Sequence, residues 1–346
     1  MPKVSVGIAV YNGEQFIARA VSSVLRQTIT DLELIIVNDG STDGTLGVLE
    51  QFTDPRIILL KNDGNKGVTY TRNRYCAAAA GEYLAVLDAD DEWPAEKLEK
   101  QLAYMDAHPE VGVSGTYGDR INPGKYTYTW KYPLTHEEIQ VRLLWGSALI
   151  HSTTIFRMAV LKANNITYTD RPALNGVEDY KIFTDCIKHT RIANIPESLL
   201  NYFEHEGQIT TRTKRQQVGR AVIVAKEYVE QVMKIPVDEL RNELITKSFL
   251  FDFDLSATEL EAFGKYLQEL DDANRRIRFF NEGLLRKNLA EKWYQACYHS
   301  RLPFGRRMKR YYAAPAFLRK PAGVYQNLKL AAKAAATILH RNTEKA

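Results

Sequence analysis

The chain has 346 residues, of which 45% are hydrophobic and 25% charged, and its formal net charge is +4. This composition is typical of a globular protein with a sizeable core, and it excludes collagen-like and disordered chains. The sequence contains no run of 18 or more apolar residues, so we predict no membrane-spanning helix.

The three cysteines, Cys76, Cys186 and Cys297, are odd in number and far apart. They indicate neither a disulfide framework nor a zinc site, and they fit a reducing compartment. The N-terminal residues lead directly into a strand-like run, without a signal-peptide pattern. We therefore expect a cytoplasmic protein.

Short β-rich apolar runs alternate with helical stretches over the first 120 residues. The predicted strands are VSVGIAV (4–10), LELIIVN (32–38), RIILL (56–60) and YLAVL (83–87). The predicted helices are 13–26, a stretch that opens near 43, 67–80 and 94–108. Strands that are apolar on both faces and alternate with helices predict an α/β fold, in which helices flank a mostly parallel, Rossmann-like sheet.

The middle of the chain is less regular, and its last third is helical. Further strand candidates are VGVSGTYG (111–118), YTYTW (126–130), STTIFR (152–157) and SLLNYF (198–203). Capping-box patterns predict helix starts at Thr135 and Ser256. We predict a sheet-based domain over 1–215, a C-terminal helical extension over 216–300 and a basic amphipathic tail over 301–346.

Polar residues follow three of the predicted strands, at the edge where ligands of a parallel sheet gather. Tyr11 and Asn12 follow the first strand, Asp39 the second, and Asp88 and Asp90 the fourth. Close carboxylates repel one another unless a cation compensates, and Mg²⁺ or Mn²⁺ prefers oxygen ligands and shares its other positions with phosphates. Because D-x-D is short and common, a solvated acidic turn is the alternative.

Three longer stretches are more specific than the acidic cluster alone. They are VSVGIAVYNGEQFIARAVSSVLRQT, LELIIVNDGSTDGT and GNKGVTYTRNRYCAAAAGEYLAVLDADD. In order and spacing they resemble the signature of glycosyltransferase family 2, closely over residues 3–107 and more loosely to about 217. The resemblance implies a GT-A fold and a nucleotide-diphosphate sugar as donor, often a UDP-sugar.

The resemblance also implies which residues bind the donor. Asp39 matches an acid that contacts the base, where it would accept the imide N–H of uracil, and Arg72 matches an arginine near the nucleotide. The implied donor-binding residues are Ala9, Tyr11, Asn12, Glu14, Asp39, Arg72 and Asp88. The alternative for Asp39 is a turn or helix cap. The alternative for Arg72 is a surface position on a helix.

For the metal, the resemblance implies Mn²⁺ or Mg²⁺ with Asp90 as a ligand and Asp88 near the ribose or the metal. His205, in the block YFEHEGQITTR, matches a residue that ligates the metal or binds phosphate. Thr210 and Arg212, in the same block, would hold the leaving group. The alternative for His205 is a structural histidine.

Glu178 and Asp179 match the family's acceptor-side Glu-Asp pair at the start of a helix, where the N-terminus favours an ionised carboxylate. The resemblance places Glu178 at the substrate and makes Asp179 the general base, a role typically worth ~10²–10⁴-fold. The implied reaction inverts the anomeric centre and forms a β-linkage. The alternative is that both acids only satisfy the first helical turn. We predict that His151 is a packed or hydrogen-bonded residue and not a catalyst.

The C-terminal tail carries the excess positive charge, since eleven basic residues from Arg301 onward face one acid, Glu344. Basic residues mixed with aromatic ones predict contact with an anionic membrane surface. We therefore expect a peripheral enzyme at the inner face of the cytoplasmic membrane, acting on a glycan or polyprenyl-linked acceptor. The alternatives are a solvated appendage or a homo-oligomer contact. No motif supports nucleic-acid binding.

Two other functions share part of the pattern. A nucleotidyltransferase also uses paired acids, but YNGE (11–14) stands where its Gly-rich loop with a basic residue would be. A non-catalytic membrane-associated glycan-assembly subunit would not need Asp39, Asp90 and Asp179 together. The sequence also lacks the Q-x-x-R-W motif of processive members. We therefore predict a hexosyl- or N-acetylhexosaminyl-transferase that adds one sugar per acceptor in bacterial cell-surface polysaccharide synthesis.

Overall fold

The computed structural model describes residues 1–122, 126–205, 208, 214–249 and 253–319. Eight strands among these residues form one sheet, and each overlaps a stretch that the sequence predicts to be a strand. The strands are β1 (Val4–Val10), β2 (Leu32–Asn38), β3 (Ile57–Lys61), β4 (Tyr83–Val86), β5 (Val111–Asn122), β6 (Tyr126–Trp130), β7 (Ile155–Arg157) and β8 (Arg191–Phe203).

The sheet has the order β3-β2-β1-β4-β7-β5-β6, with β8 paired to β5. The first four strands are parallel, β7 is antiparallel to both β4 and β5, and β8 is parallel to β5. The α/β prediction with a mostly parallel sheet is confirmed. Because β1, β2 and β4 run in the same direction, the polar residues that follow them meet at one edge.

The central strands are buried on both faces, which explains their nearly continuous apolar sequences. Val6, Ile8 and Leu34 are fully buried in the main core. Burial of each such side chain stabilises the folded state by roughly 1.5–3 kcal/mol. On the opposite face Gly7 lies against the ring of Tyr75, where a Cβ atom would come within 2.5 Å of the ring. This close approach explains a glycine inside an otherwise bulky strand.

Helices flank the sheet and make up the C-terminal part of the described chain. They are α1 (Ile17–Leu25), α2 (Thr45–Leu49), α3 (Val68–Ala78), α4 (Lys97–Ala107), α5 (His136–Arg142), α6 (Met158–Ala163), α7 (Glu178–Cys186), α8 (Lys214–Met233), α9 (Glu239–Phe249), α10 (Ala257–Ile277), α11 (Glu282–His299) and α12 (Phe304–Ala313). Both predicted capping boxes are present, because the hydroxyls of Thr135 and Ser256 accept the backbone N–H of Glu138 and Glu259.

The first helix begins later than the sequence predicts. It starts at Ile17 and not near Gly13, because Phe16, directly before it, has a non-helical φ of −120°. Asn12 adopts a left-handed φ of 51°. The backbone N–H of Gly13 then donates to Thr45 Oγ1 over 2.9 Å. The segment after β1 is therefore tied to the segment after β2, and both are held at the edge of the sheet.

The chain divides into two compact units, Met1–Val224 and Ala225–Ala346. The first contains the whole sheet, and the second contains α9 to α12. The predicted boundary after residue 215 falls inside the first unit. The predicted tail falls inside the second, and its residues 320–346 lie outside the described part of the chain. None of the described helices is both long enough and apolar enough to span a bilayer.

Candidate active site

A cavity of about 710 Å³ lies at the sheet edge where β1, β2 and β4 end. This volume is in the range of sites for small ligands and cofactors. All of the residues that line it belong to the first compact unit. The predicted site residues among them are Ala9, Tyr11, Asn12, Asp39, Arg72, Asp88, Asp90, Glu178, Asp179 and His205.

Of the predicted site residues that the structure describes, Glu14 is not in this lining. The Glu14 carboxylate accepts the backbone N–H of Gly44 over 3.0 Å, so it bridges the segments after β1 and β2 and does not face the cavity. Asn12 links the same two segments a second time, because its side-chain oxygen accepts the backbone N–H of Thr42 over 2.8 Å. Thr210 and Arg212 lie outside the described residues.

Asp39 holds the segment that leads into α3. Its buried carboxylate accepts the side-chain amide of Asn62 at 2.6 Å and the backbone N–H groups of Lys66 and Gly67 at 2.8 and 2.9 Å. Gly67 has a φ of 90°, a value that glycine adopts readily. The side chain thus fixes one wall of the cavity, and its contact with a base stays a prediction.

Arg72 is the centre of a buried ion cluster. Its Nη1 lies 2.7 Å from Glu178 Oε1 and its Nη2 lies 3.0 Å from Asp88 Oδ1. Arg72 is only 8% exposed, so the alternative of a surface helix position is wrong. The second oxygen of Glu178 accepts the backbone N–H of Gly176 over 2.6 Å. The cluster therefore connects the end of β4 to the start of α7.

Asp88 is kept ionised by its neighbours. Burial alone would raise its pKa, but His151 and Arg72 outweigh that effect and hold the pKa of Asp88 well below its usual range. His151 Nδ1 lies 3.3 Å from Asp88 Oδ1, and His151 Nε2 lies 2.9 Å from the hydroxyl of Tyr168. The prediction that His151 is a hydrogen-bonded histidine is confirmed.

Asp90 and His205 form a second polar pair in the cavity. Asp90 Oδ2 lies 3.0 Å from His205 Nε2. The imidazole stacks on Phe16 with ring centroids 4.3 Å apart, and Arg19 donates to the backbone carbonyl of Asp90 over 2.7 Å. These contacts fix both side chains, although the residues are 115 positions apart in the chain.

This pair is the donor set available to a divalent cation. In the part of the chain that the structure describes, no three His, Cys, Asp or Glu side chains surround a common metal position. One carboxylate and one imidazole nevertheless fit a cation that takes its other ligands from substrate phosphates and water. Asp88 contacts Arg72 and His151 instead, and its contact with a metal stays a prediction.

Asp179 is the second residue of α7 and lines the cavity. Its burial raises its pKa above the usual value, and the charge of Glu178 acts in the same direction, while His151 and Arg72 oppose the rise. A carboxylate with a raised pKa is a stronger proton acceptor once ionised. Asp179 thus lies in the cavity with a raised pKa, and its role as general base stays a prediction.

Several lining residues have no counterpart among the sequence predictions. All of them except Gln217 lie within the three stretches of the family resemblance or the YFEHEGQITTR block, but the resemblance implies no role for them. Phe16 lies just before α1, and its stacking on a distant histidine leaves no local signal. Thr71 lies directly beside Arg72 in the TRN block. The missed residues include Phe16, Asn65, Gly67, Val68, Thr71, Tyr202, Gln208 and Gln217.

Comparisons with known proteins identify the family of the chain. Residues 5–164 match the family described as Glycosyl transferase family 2. An uncharacterized glycosyltransferase of Haemophilus influenzae is 29% identical over 320 residues, which are 83% of this chain and 98% of that protein. The Escherichia coli UDP-Glc:alpha-D-GlcNAc-diphosphoundecaprenol beta-1,3-glucosyltransferase WfgD is 30% identical over 192 residues, 56% of this chain and 72% of the enzyme.

A solved structure shows the same fold. The crystal structure of S. aureus TarS 1-349 in complex with UDP-GlcNAc matches with a TM-score of 0.57 at 21% sequence identity, covering 85% of this chain and 89% of that one. The sheet, its edge cavity and the sequence matches lead to one assignment. The chain belongs to glycosyltransferase family 2 and is a glycosyltransferase with the GT-A fold.

Proposed function

We propose that this enzyme is an inverting, metal-dependent glycosyltransferase that moves one sugar from a UDP-sugar to a hydroxyl of a lipid-linked glycan in bacterial surface-polysaccharide synthesis. The observation that carries the proposal is a single cavity that contains Asp39, Asp90 and Asp179. WfgD is named for UDP-Glc and a diphosphoundecaprenol-linked acceptor, and the TarS structure contains UDP-GlcNAc. Both relatives support the substrate classes proposed here.

Asp39 is proposed to recognise the base. A carboxylate offers about four lone-pair positions, and Asn62, Lys66 and Gly67 occupy three of those on Asp39. The remaining position is suited to the imide N–H of uracil, which cytosine lacks. Because the other three contacts hold the carboxylate rigidly, little ordering cost remains when the base binds.

Asp90 and His205 are proposed to hold Mn²⁺ or Mg²⁺. When bound, such a cation neutralises the negative charge that develops on the departing diphosphate. Phe16 keeps the imidazole of His205 turned toward Asp90, and Arg19 fixes the backbone of Asp90. The chain thus supplies a pre-oriented pair of ligands for the cation.

Asp179 is proposed to accept the proton of the acceptor hydroxyl as its oxygen attacks the anomeric carbon. The bond from that carbon to the diphosphate breaks in the same displacement, UDP leaves, and an α-linked donor gives a β-linked product. Glu178 is less suited to this role, since its two oxygens are occupied by Arg72 and the N–H of Gly176. The two adjacent acids are therefore proposed to have different tasks.

A screen of donors tests the proposal. The full chain is incubated with UDP-, GDP- and dTDP-sugars and a GlcNAc-diphospholipid acceptor, with Mn²⁺, Mg²⁺ or EDTA, and the release of nucleoside diphosphate is measured. We expect release from a UDP-sugar that EDTA abolishes. Release only from a GDP-sugar would contradict the base assignment, release unaffected by EDTA would contradict the metal, and release of pyrophosphate would indicate nucleotidyl transfer.

The enzyme is further proposed to act at the inner face of the cytoplasmic membrane. On α12, Arg306, Lys309 and Tyr312 are exposed and lie three residues apart, so they form one stripe of the helix. A basic and aromatic stripe suits an anionic lipid surface. We expect the protein to sediment with phosphatidylglycerol vesicles at low salt and not with phosphatidylcholine vesicles. Equal sedimentation with both would contradict this proposal.

A further inference from the structure

A chain of hydrogen bonds enters the cavity from a residue that no sequence motif marks. The hydroxyl of Tyr168 lies 2.9 Å from His151 Nε2, and His151 Nδ1 lies 3.3 Å from Asp88 Oδ1. The same carboxylate oxygen accepts Arg72 Nη2 over 3.0 Å. Tyr168, His151 and Arg72 are 1%, 6% and 8% exposed, so water competes little for these bonds.

The chain of bonds continues to the segment that carries the proposed base. Arg72 Nη1 donates to Glu178 Oε1 over 2.7 Å, and Glu178 Oε2 accepts the backbone N–H of Gly176. Asp179 follows directly as the second residue of α7. Asp88 and Glu178, the residue directly before the proposed base Asp179, are therefore connected through one guanidinium group.

The position of Tyr168 is itself determined by α3. The side-chain oxygen of Asn73 accepts the backbone N–H of Tyr168 over 3.0 Å, and its amide nitrogen donates to the Tyr168 carbonyl over 2.8 Å. The guanidinium of Arg72, the preceding residue on α3, lies 5.6 Å from the centre of the Tyr168 ring. These contacts leave the hydroxyl little freedom to move away from His151.

The available donors and acceptors determine which group donates in the hydrogen bond between Tyr168 and His151. An ionised Asp88 only accepts, so the proton of a neutral His151 lies on Nδ1 and points to Asp88. Nε2 of that tautomer is an acceptor, and the hydroxyl of Tyr168 is the donor it meets. Asp88 and the Tyr168 hydroxyl both favour this tautomer, so loss of the hydroxyl removes one of its two supports and weakens the contact between His151 and Asp88.

We propose that Tyr168 and His151 are positioning residues of the transfer reaction. They hold Asp88 Oδ1 in place, which leaves the other oxygen of Asp88 to the cavity. Through Arg72 they also maintain the arrangement of Glu178 at the start of α7. This inference rests on the proposed function, and it assigns to both residues an effect on kcat that acts through Asp88.

The test is a double-mutant cycle on the full chain with a UDP-sugar and Mn²⁺. A buried hydrogen bond is worth about 1 kcal/mol, so Tyr168→Phe is expected to lower kcat for UDP release roughly five- to tenfold and to leave the donor KM unchanged. His151→Gln is expected to lower kcat at least as much. In the His151→Gln background, Tyr168→Phe should not lower kcat any further, because Tyr168 acts through His151.

Tyr83→Phe is the matched control. Tyr83 is fully buried, its hydroxyl donates to Asp106 at 2.6 Å and accepts from Arg157 at 2.8 Å, and it does not line the cavity. The Tyr83→Phe substitution should lower the denaturant midpoint of unfolding and leave kcat unchanged. Unchanged kcat in Tyr168→Phe, a change in donor KM alone, or additive effects of the two site substitutions would each overturn the inference.

A second measurement separates this inference from the proposed function. If the wild-type chain releases UDP from no donor, the proposed function fails, and the ring nitrogens of His151 can still be observed by ¹⁵N NMR. At a pH at which the imidazole is neutral, we expect a protonated Nδ1 and an acceptor Nε2 in the wild type, and a mixed pattern in Tyr168→Phe. Identical His151 spectra in the two proteins would show that the hydroxyl does not act on His151.

Discussion

Replacing Asp179 by asparagine is expected to lower kcat by ~10²–10⁴-fold, the usual contribution of a general base. The amide keeps the size and the polar contacts of the side chain but does not accept the hydroxyl proton. Binding of UDP should be unchanged, because the proposed base contact belongs to Asp39, on another segment of the cavity wall. Steady-state UDP release and calorimetric titration with UDP and Mn²⁺ measure the two quantities separately.

The pH profile gives a second readout of the same residue. Burial raises the pKa of Asp179, so wild-type activity should begin to fall, on acidification, at a higher pH than for an ordinary aspartate. Asp179→Asn should lack this acidic limb. Asp170→Asn is the matched control, since Asp170 is exposed and does not line the cavity. Full turnover in Asp179→Asn would exclude Asp179 as the base.

Replacing Arg72 by methionine is expected to have the largest effect on stability. The substitution leaves Glu178, whose side chain is only 5% exposed, as a buried carboxylate without its cation. Removing one partner of a buried ion pair typically costs ~3–5 kcal/mol. Chemical denaturation at neutral pH measures the loss as a lower denaturant midpoint, and kcat should fall as well because both carboxylate contacts of Arg72 disappear.

The charge of Glu178 can be removed in the same background. Arg72→Met combined with Glu178→Gln should be more stable than Arg72→Met alone, because no buried carboxylate then remains at that position. A double variant no more stable than the single one would show that the ion pair is not the cause of the loss.

The stability difference should also depend on pH in a defined direction. Arg72 and His151 hold the pKa of Asp88 below its usual value, so the ionised carboxylate contributes stability above pH ~4 that is lost as the pH falls further. Arg72→Met removes part of this contribution. The difference in free energy of unfolding between Arg72→Met and the wild type should therefore narrow on acidification below pH ~4. A difference that widens would contradict a stabilising role of ionised Asp88.

Two neighbouring acids at the start of α7 have different surroundings in this fold. Glu178 is 4% exposed and uses both oxygens to hold Arg72 and Gly176. Asp179 is more exposed and remains directed to the cavity as a potential proton acceptor. Their order in the chain does not distinguish them, because adjacent residues at a helix start share the same favourable dipole.

Local features of this protein were predictable from the order of residues alone. Parallel strands such as Val4–Val10 and Leu32–Asn38 are continuous apolar runs because both of their faces are covered. Capping boxes at Thr135 and Ser256 depend on side chains three residues apart, so they can be predicted from the local sequence alone. Asp39, Asp88 and Asp90 follow predicted strands, and parallel direction alone brings them to one edge.

Contacts between distant segments were decided only by the tertiary structure. Arg72 meets Glu178 across 106 positions, and Asp90 meets His205 across 115. Glu14 belongs to the same motif as Asn12 and nevertheless turns to Gly44, away from the cavity. Side-chain direction depends on which segments pack against each other, and this packing follows from burial over the whole sheet and not from the local order of residues.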